Sequence, residues 1–79
     1  MLLKEIIEKE GLSGQELHVE YRSVSPEGID CFTGAADYRD GELVSLDGDD
    51  YGLDDEIVKY ELSEDRGTLL VWEELEWLD

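Results

Sequence analysis

The 79-residue chain carries 23 acidic side chains against six Lys and Arg, a formal net charge of −17. Affinity for nucleic acid or for an anionic membrane surface needs clustered Lys and Arg, so this composition excludes both as direct ligands. No apolar run approaches the ~20 residues that span a bilayer, and the acidic start is unlike a secretory signal. We therefore expect one cytoplasmic domain over 1–79.

Hydrophobic patterning predicts that the chain folds despite its charge. Leu, Ile, Val and Phe make up 22 of the 79 residues, above the ~20% share below which disorder is expected. A chain this short buries a small core, and Cys31, the lone cysteine, cannot form an internal disulfide. We expect marginal stability, lowered further by self-repulsion at low salt.

The first segment predicts a short amphipathic helix over about 2–10. Its apolar residues fall at helical spacing on one stripe: Leu2, Leu3, Ile6 and Ile7. Gly11 then ends the helix as a left-handed cap, and Leu12 folds back on Ile7 as in a Schellman motif.

From position 16 the pattern changes to the two-residue period of strands. Leu17, Val19 and Tyr21, for example, alternate with polar residues. Five strands are predicted, at about 16–24, 29–38, 42–46, 57–62 and 68–73.

Tight connections join most of these strands. Residues 25–28 carry a type I turn signal, and Asp40-Gly41 is typical of a two-residue hairpin. That hairpin places Arg39 opposite Glu42, an opposite-charge pair that supports the register.

These elements predict an α+β, mostly β domain. Tight turns favour a five-stranded antiparallel meander after the helix. Because small residues at 34–36 suit a sharply bent strand, we expect a strongly bent sheet or a small SH3-like or Sm-like barrel. The order of elements resembles the Sm-like family, which also begins with a helix. The alternative is an open sheet with the helix packed on one face.

The acidic loop, residues 47–56, is the first candidate for a metal site. An EF-hand loop needs oxygen ligands at its fifth and twelfth positions. Counted from Asp47, these positions hold Tyr51 and Val58. We therefore interpret the loop as a solvated acidic segment and predict no metal.

Catalytic chemistry finds little support in the sequence. One His and one Cys, His18 and Cys31, are too few ligands for a structural zinc site. Neither residue has an evident partner to orient it for catalysis, and we expect Cys31 to be packed. A catalytic carboxylate pair needs a cleft, for which a domain this small has little room. We predict no enzyme activity, no catalytic residue and no cofactor.

The predicted contact surface combines the acidic loop with the C-terminal tail, residues 73–79. Trp72 and Trp77 are five apart, so one is expected in the core and the other, ringed by acids, suits an interface anchor. The predicted partner-binding residues are Asp47, Asp49, Asp50, Asp54, Asp55, Glu56, Glu73, Glu74, Glu76 and Trp77.

The net charge of −17 exceeds what solubility needs, because a net charge of magnitude ~2–8 suffices for a small domain. Duplex DNA carries one charge per ~1.7 Å, so the net charge matches ~29 Å of duplex. A compact chain of this length has a radius of gyration of ~12 Å, hence a similar diameter of roughly 30 Å. A nucleic-acid mimic that occupies a basic groove is therefore physically feasible.

The acidic chain, with its opening helix and the paired segments 56–62 and 68–74, resembles the small proteins of phages and mobile elements. That resemblance implies an inhibitor of the anti-restriction or anti-CRISPR kind. We expect a non-enzymatic module that engages a basic protein surface, such as that of a nuclease or another nucleic-acid-binding protein. The alternative is a self-associating structural domain, a homo-oligomer whose charge serves solubility.

Overall fold

The computed structural model describes residues 1–25, 27–48 and 50–75, with 74 and 75 described as backbone only. One short helix precedes five strands, as the sequence predicts, and each lies within two residues of its predicted bounds. They are α1 (Leu3–Lys9), β1 (Leu17–Val24), β2 (Asp30–Arg39), β3 (Glu42–Ser45), β4 (Lys59–Leu62) and β5 (Thr68–Leu75).

The strands form one open mixed sheet in the order β3-β2-β1-β5-β4. The prediction of an antiparallel meander was wrong, because β1 and β5 pair in parallel in the centre. The predicted barrel was also wrong, since β3 and β4 lie at opposite edges. The reason lies in residues 46–58, a connection long enough to carry the chain from one edge of the sheet to the other.

The helix ends as predicted. Gly11 has a φ of 70°, its N–H donates to Glu8 at 3.2 Å, and the Leu12 N–H donates to Ile7 at 2.9 Å. These are the two hydrogen bonds of a Schellman motif. Leu12 is fully buried, so the turn also directs the chain back into the core.

One face of the sheet, which we call the covered face, packs against α1. The helix contributes Leu3, Ile6 and Ile7 to a single core cluster with alternate residues of the two central strands: Leu17, Val19, Tyr21, Leu69 and Val71. The other face, which we call the open face, has no element packed on it among the residues that the structure describes. The core therefore lies between the covered face on one side and α1, its following turn and part of the connection 46–58, which contributes Ile57, on the other.

The hairpin turn at Asp40-Gly41 has positive φ at both positions, 52° and 77°. This is the type I′ geometry that matches strand twist, and it pairs Arg39 with Glu42 as predicted.

The β1–β2 hairpin contains a bulge that the sequence pattern did not indicate. Tyr21 pairs with Gly34 but Arg22 pairs with Phe32, so Thr33 is the extra residue. A bulge bends its strand and changes which side chains face inward. Residues 27–33 beyond it are all exposed. We call residues 23–25 and 27–33 the hairpin tip.

No helix among the described residues is long and apolar enough to cross a membrane.

Candidate protein-binding surface

The acidic loop is built into the fold through its backbone. The first N–H groups of a helix have no partner within it. Here the Leu3 N–H donates to the Asp55 carbonyl and the Lys4 N–H to the Leu53 carbonyl, both at 2.9 Å. The second half of the loop therefore caps α1 and is held at the edge of the core.

Several loop carboxylates also have partners within the chain. Asp55 accepts hydrogen bonds from the Gly52 N–H at 3.0 Å and the Tyr21 hydroxyl at 3.4 Å. Asp54 lies 2.9 Å from the Lys4 ammonium, and Glu56 lies 2.6 Å from the Met1 amino group. Asp54 and Glu56 nevertheless remain exposed. These two carboxylates can therefore contact a partner, whereas the Asp55 carboxylate is used in hydrogen bonds that hold the loop.

Tyr51 fixes the first half of the loop on the sheet. Its ring stacks on Tyr21 at 4.1 Å between centroids, and its hydroxyl donates to Asp47 at 2.9 Å. A Cβ on Gly34 would overlap both the Tyr51 hydroxyl and the Asp47 carboxylate. Gly34 is therefore explained by this close approach, and not by the bend of a barrel wall.

The acidic loop and the end of β5 meet around Tyr21, whose side chain is buried. Burial raises the pKa of its hydroxyl above the ordinary range, and the nearby carboxylates of Asp55 and Glu73 raise it further. The tail residue Glu73 thus lies near the same hydroxyl as the loop residue Asp55.

The structure describes most of the predicted partner-binding residues. Asp47, Asp50, Asp54, Glu56 and Glu73 are exposed, and Asp55 is half-buried. Asp49, Glu76 and Trp77 lie outside the described residues, as does the side chain of Glu74.

Charge is distributed unequally between the open face and the rest of the chain. By strand register, three of the six Lys and Arg share the open face with five acids: Arg22, Arg39 and Lys59 with Glu20, Asp30, Asp37, Glu42 and Glu61. The other three cations, Lys4, Lys9 and Arg66, share the remainder with 14 acids whose side chains the structure describes. The helix side, loops and turns are therefore strongly negative, and the open face is nearly balanced.

Intramolecular contacts occupy most of the cations. On the open face, Arg22 lies between Glu20 at 2.8 Å and Asp30 at 3.1 Å. Arg39 lies 3.3 Å from Asp37. Elsewhere, Arg66 donates to the Glu10 carbonyl. Arg22 and Arg39 are thus paired within the open face, and Arg66 is held at the end of α1.

Trp72 is buried, yet it lies on the open face. Its indole N–H donates to Asp30 at 3.1 Å, and the Lys59 ammonium lies 4.5 Å from its ring centroid. Register places Trp72 and Lys59 on one row with Arg22 and Phe32. Among the described residues no helix or second sheet covers Trp72, and the long side chains around its indole reduce its exposure to 3%.

Two isolated candidates can now be placed. The His18 Nδ1 lies 3.0 Å from Asp37, and this hydrogen bond is the main cause that holds the pKa of Asp37 below its usual value. Cys31 is exposed, so the expectation that it packs was wrong: it lies beyond the bulge. Among the described residues, no group of three or more His, Cys, Asp and Glu could hold a metal.

Sequence reasoning missed two residues of the hairpin tip. Ile29 and Phe32 are 60% and 59% exposed, although apolar residues in a predicted strand are expected to face the core. The sequence offers one signal of the bulge that exposes them: the small residues at 34–36 follow Thr33, where the pairing of β2 with β1 shifts.

No protein-family model matches this chain, and no curated protein or solved structure matches it.

Proposed function

We propose that this protein is a non-enzymatic module that binds the basic surface of another protein through its acidic helix side. The observation that carries the proposal is the unequal distribution of charge. Three cations share the helix side, loops and turns with 14 described acids, and Lys4 is itself paired with Asp54. Negative charge concentrated away from the open face orients and accelerates encounter with a basic partner.

The dimensions support a partner that ordinarily binds nucleic acid. The molecule measures 38 Å along its longest axis and has a radius of gyration of 12.3 Å. A duplex 38 Å long carries about 22 charges, against a net 17 here. A groove that accommodates nucleic acid therefore meets a comparable density of negative charge. Inhibition by occupation of that groove agrees with the resemblance to small phage and mobile-element proteins.

The test is affinity capture from source-cell lysate with the tagged protein, with and without excess duplex DNA. We expect one nucleic-acid-binding protein to be enriched and then released by the DNA. A partner that DNA does not displace would contradict mimicry but retain a protein-binding module. Capture of nothing above an untagged control would contradict the proposal.

The nearly balanced open face favours one second candidate, association of two copies of this chain. Two copies meet the least repulsion when their open faces approach, and Val44 and Phe32 are exposed there, at 45% and 59%. Sedimentation at high protein concentration in physiological salt tests it. A monomer throughout eliminates this candidate, whereas a dimer weakened by Val44→Lys supports it.

A further inference from the structure

The two edge strands of the sheet, β3 and β4, differ in how their outer edges are protected. Each pairs with a single neighbour in the described sheet, β3 with β2 and β4 with β5. The outer edge of such a strand presents N–H and C=O groups that can pair with another chain. Proteins commonly block these edges with charged side chains, Lys above all, and with bulges.

β4 is the protected edge. Lys59 and Glu61 are exposed on it. The register pairs Lys59 with Trp72, and the Val58 N–H also donates to the Trp72 carbonyl at 2.8 Å. Two residues thus oppose one, and β4 begins at a bulge. The bulge and the edge lysine both hinder the addition of a further strand.

β3 contains neither a lysine nor a bulge. Its pairing with β2 is regular from Glu42 to Ser45, and the Leu46 N–H continues the register by donating to the Ala35 carbonyl at 3.0 Å. Backbone groups alternate in direction along a strand, so those of Leu43 and Ser45 point away from β2. β3 therefore presents a regular edge to which a strand can be added.

The side chains beside this edge are apolar on one side of the sheet and acidic on the other. Val44 and Leu46 are 45% and 52% exposed, and the register places both on the side of the open face. On the covered side, Asp47 lies against Gly34 and accepts a hydrogen bond from the Ser45 hydroxyl at 3.2 Å. The side chains of an added strand also alternate, so one set meets apolar residues and the other meets the start of the acidic loop.

We infer that β3 is the docking edge for the basic partner, and that its occupant is an extended segment in which Lys or Arg alternates with apolar side chains. This inference rests on the proposed function and adds the mode of binding, which is the addition of a strand to the sheet. The apolar side chains of the segment pack beside Val44 and Leu46, and its cations face Asp47. A second copy of this chain is a poorer occupant, because it brings a further net charge of −17 to the same edge.

Amide hydrogen exchange followed by NMR, with and without a short peptide of alternating lysine and leucine, tests the inference. We expect the Leu43 and Ser45 amides to exchange more slowly in the complex, by about tenfold or more. The matched control is the edge of β4, where the Ser63 N–H donates to the Thr68 carbonyl. The amides of Tyr60 and Leu62 therefore point outward there, and their exchange should not change.

Two N-methylated versions of the peptide separate strand addition from simple attraction between charges. One carries methyl groups on the backbone nitrogens of its lysines and the other on those of its leucines, so each blocks one edge of the peptide without changing its charge. By fluorescence anisotropy, one version should lose affinity about tenfold or more and the other should bind like the parent, because an added strand pairs through a single edge. An antiparallel strand uses the lysine nitrogens, since its cations lie on the same side of the sheet as the Ser45 side chain.

Val44→Ser combined with Leu46→Ser removes the apolar side chains beside the edge. This variant should bind the lysine–leucine peptide about tenfold more weakly. Val58→Ser is the matched control, because Val58 is 55% exposed but lies next to β4, and it should keep full affinity. Unchanged thermal unfolding should show that both variants fold. Full affinity in the double variant would overturn the inferred apolar half of the segment.

Three further outcomes would contradict the inference. Equal affinities of the two methylated peptides, or slowed exchange at β4 in place of β3, would overturn it while the proposed function stands. Slow exchange of the Leu43 and Ser45 amides without peptide, increasing with protein concentration, would assign the edge to a second copy and overturn it as well. Binding of no peptide at low salt would also contradict the proposed function.

Discussion

The two faces of the sheet reach burial by different means. On the covered face, β5 contributes Leu69 and Val71, both fully buried against apolar neighbours. On the open face the same strand contributes Trp72, whose burial depends on Asp30 and Lys59. Apolar contact thus provides most of the stability from one side only. The other side is held by directional polar contacts, which contribute less free energy each.

Neighbouring leucines of β5 give the strongest test of this difference. Leu69→Ala should lower the free energy of unfolding by about 2–5 kcal/mol, since it leaves a cavity in the core. Leu70→Ala removes the same atoms from the half-buried open face and should cost less than ~1 kcal/mol. Urea denaturation measures both, with Leu69→Val as the milder variant if the first does not fold. Equal losses would mean that the open face is covered in solution.

Gly34→Ala should destabilise the acidic loop's attachment to the covered face. The new methyl group overlaps the Tyr51 hydroxyl, so the ring must leave its stack on Tyr21. We expect a loss of about 1–3 kcal/mol in the free energy of unfolding. Gly14→Ala is the control, because nothing lies within 4 Å of its added Cβ; it should be neutral or slightly stabilising. Similar results for the two would show that Tyr51 does not rest on the sheet.

On the open face, Asp30→Ala should lower the free energy of unfolding by less than the loss of a core side chain does. It leaves the Trp72 indole N–H without its acceptor and removes one partner of Arg22. The expected cost is about 1–2 kcal/mol, accompanied by a shift of tryptophan emission. Asp50→Ala changes the net charge equally at an exposed position. If it costs as much as Asp30→Ala, the contact with Trp72 contributes nothing.

The smallest expected effect concerns Asp37, whose pKa is lowered mainly by the hydrogen bond from His18. A carboxyl with a lowered folded-state pKa stabilises the protein above its unfolded value of 3.8, and the contribution is lost as the pH falls below that value. Asp37→Asn should therefore be less stable than Asp50→Asn at pH 7. Chemical denaturation at pH 7 and at pH 3 measures the difference, which should be smaller at the lower pH, where both carboxyls begin to take up protons. A difference as large at pH 3 as at pH 7 would exclude this origin.

The helix, its C-terminal cap and the hairpin turn of this protein are predictable from the spacing of nearby residues. The helix stripe, the Schellman ending at Gly11 and the hairpin turn at Asp40-Gly41 each depend on residues within a few positions of one another. The sequence therefore predicts the elements and their order well. The pairing of β1 with β5 depends on contacts between distant segments, which no local period encodes.

The candidate surface was predictable only as a set of charges. Its geometry depends on a few contacts: Tyr51 over Gly34, Asp55 at the start of α1, and the bulge at Thr33. Regular alternation along β2 predicts that Phe32 lies on the same face as Gly34 and Ala36, the covered face. The bulge at Thr33 instead pairs Phe32 with Arg22 on the open face. The exposure of Phe32 on the open face was therefore not visible in the sequence.

Two charge-reversal variants test the central claim most directly, because they change the net charge equally on different sides. Asp50→Lys with Asp54→Lys alters the acidic loop at exposed positions, and Glu42→Lys with Glu61→Lys alters the open face. Asp55 is left intact because it holds the loop together. The affinity of each variant for a synthetic peptide of alternating lysine and serine is measured by fluorescence anisotropy over a range of salt concentrations. The loop variant should lose most of the affinity and its salt dependence, and the open-face variant should stay close to wild type. Equal losses in the two would contradict a sided acidic surface and leave only net charge.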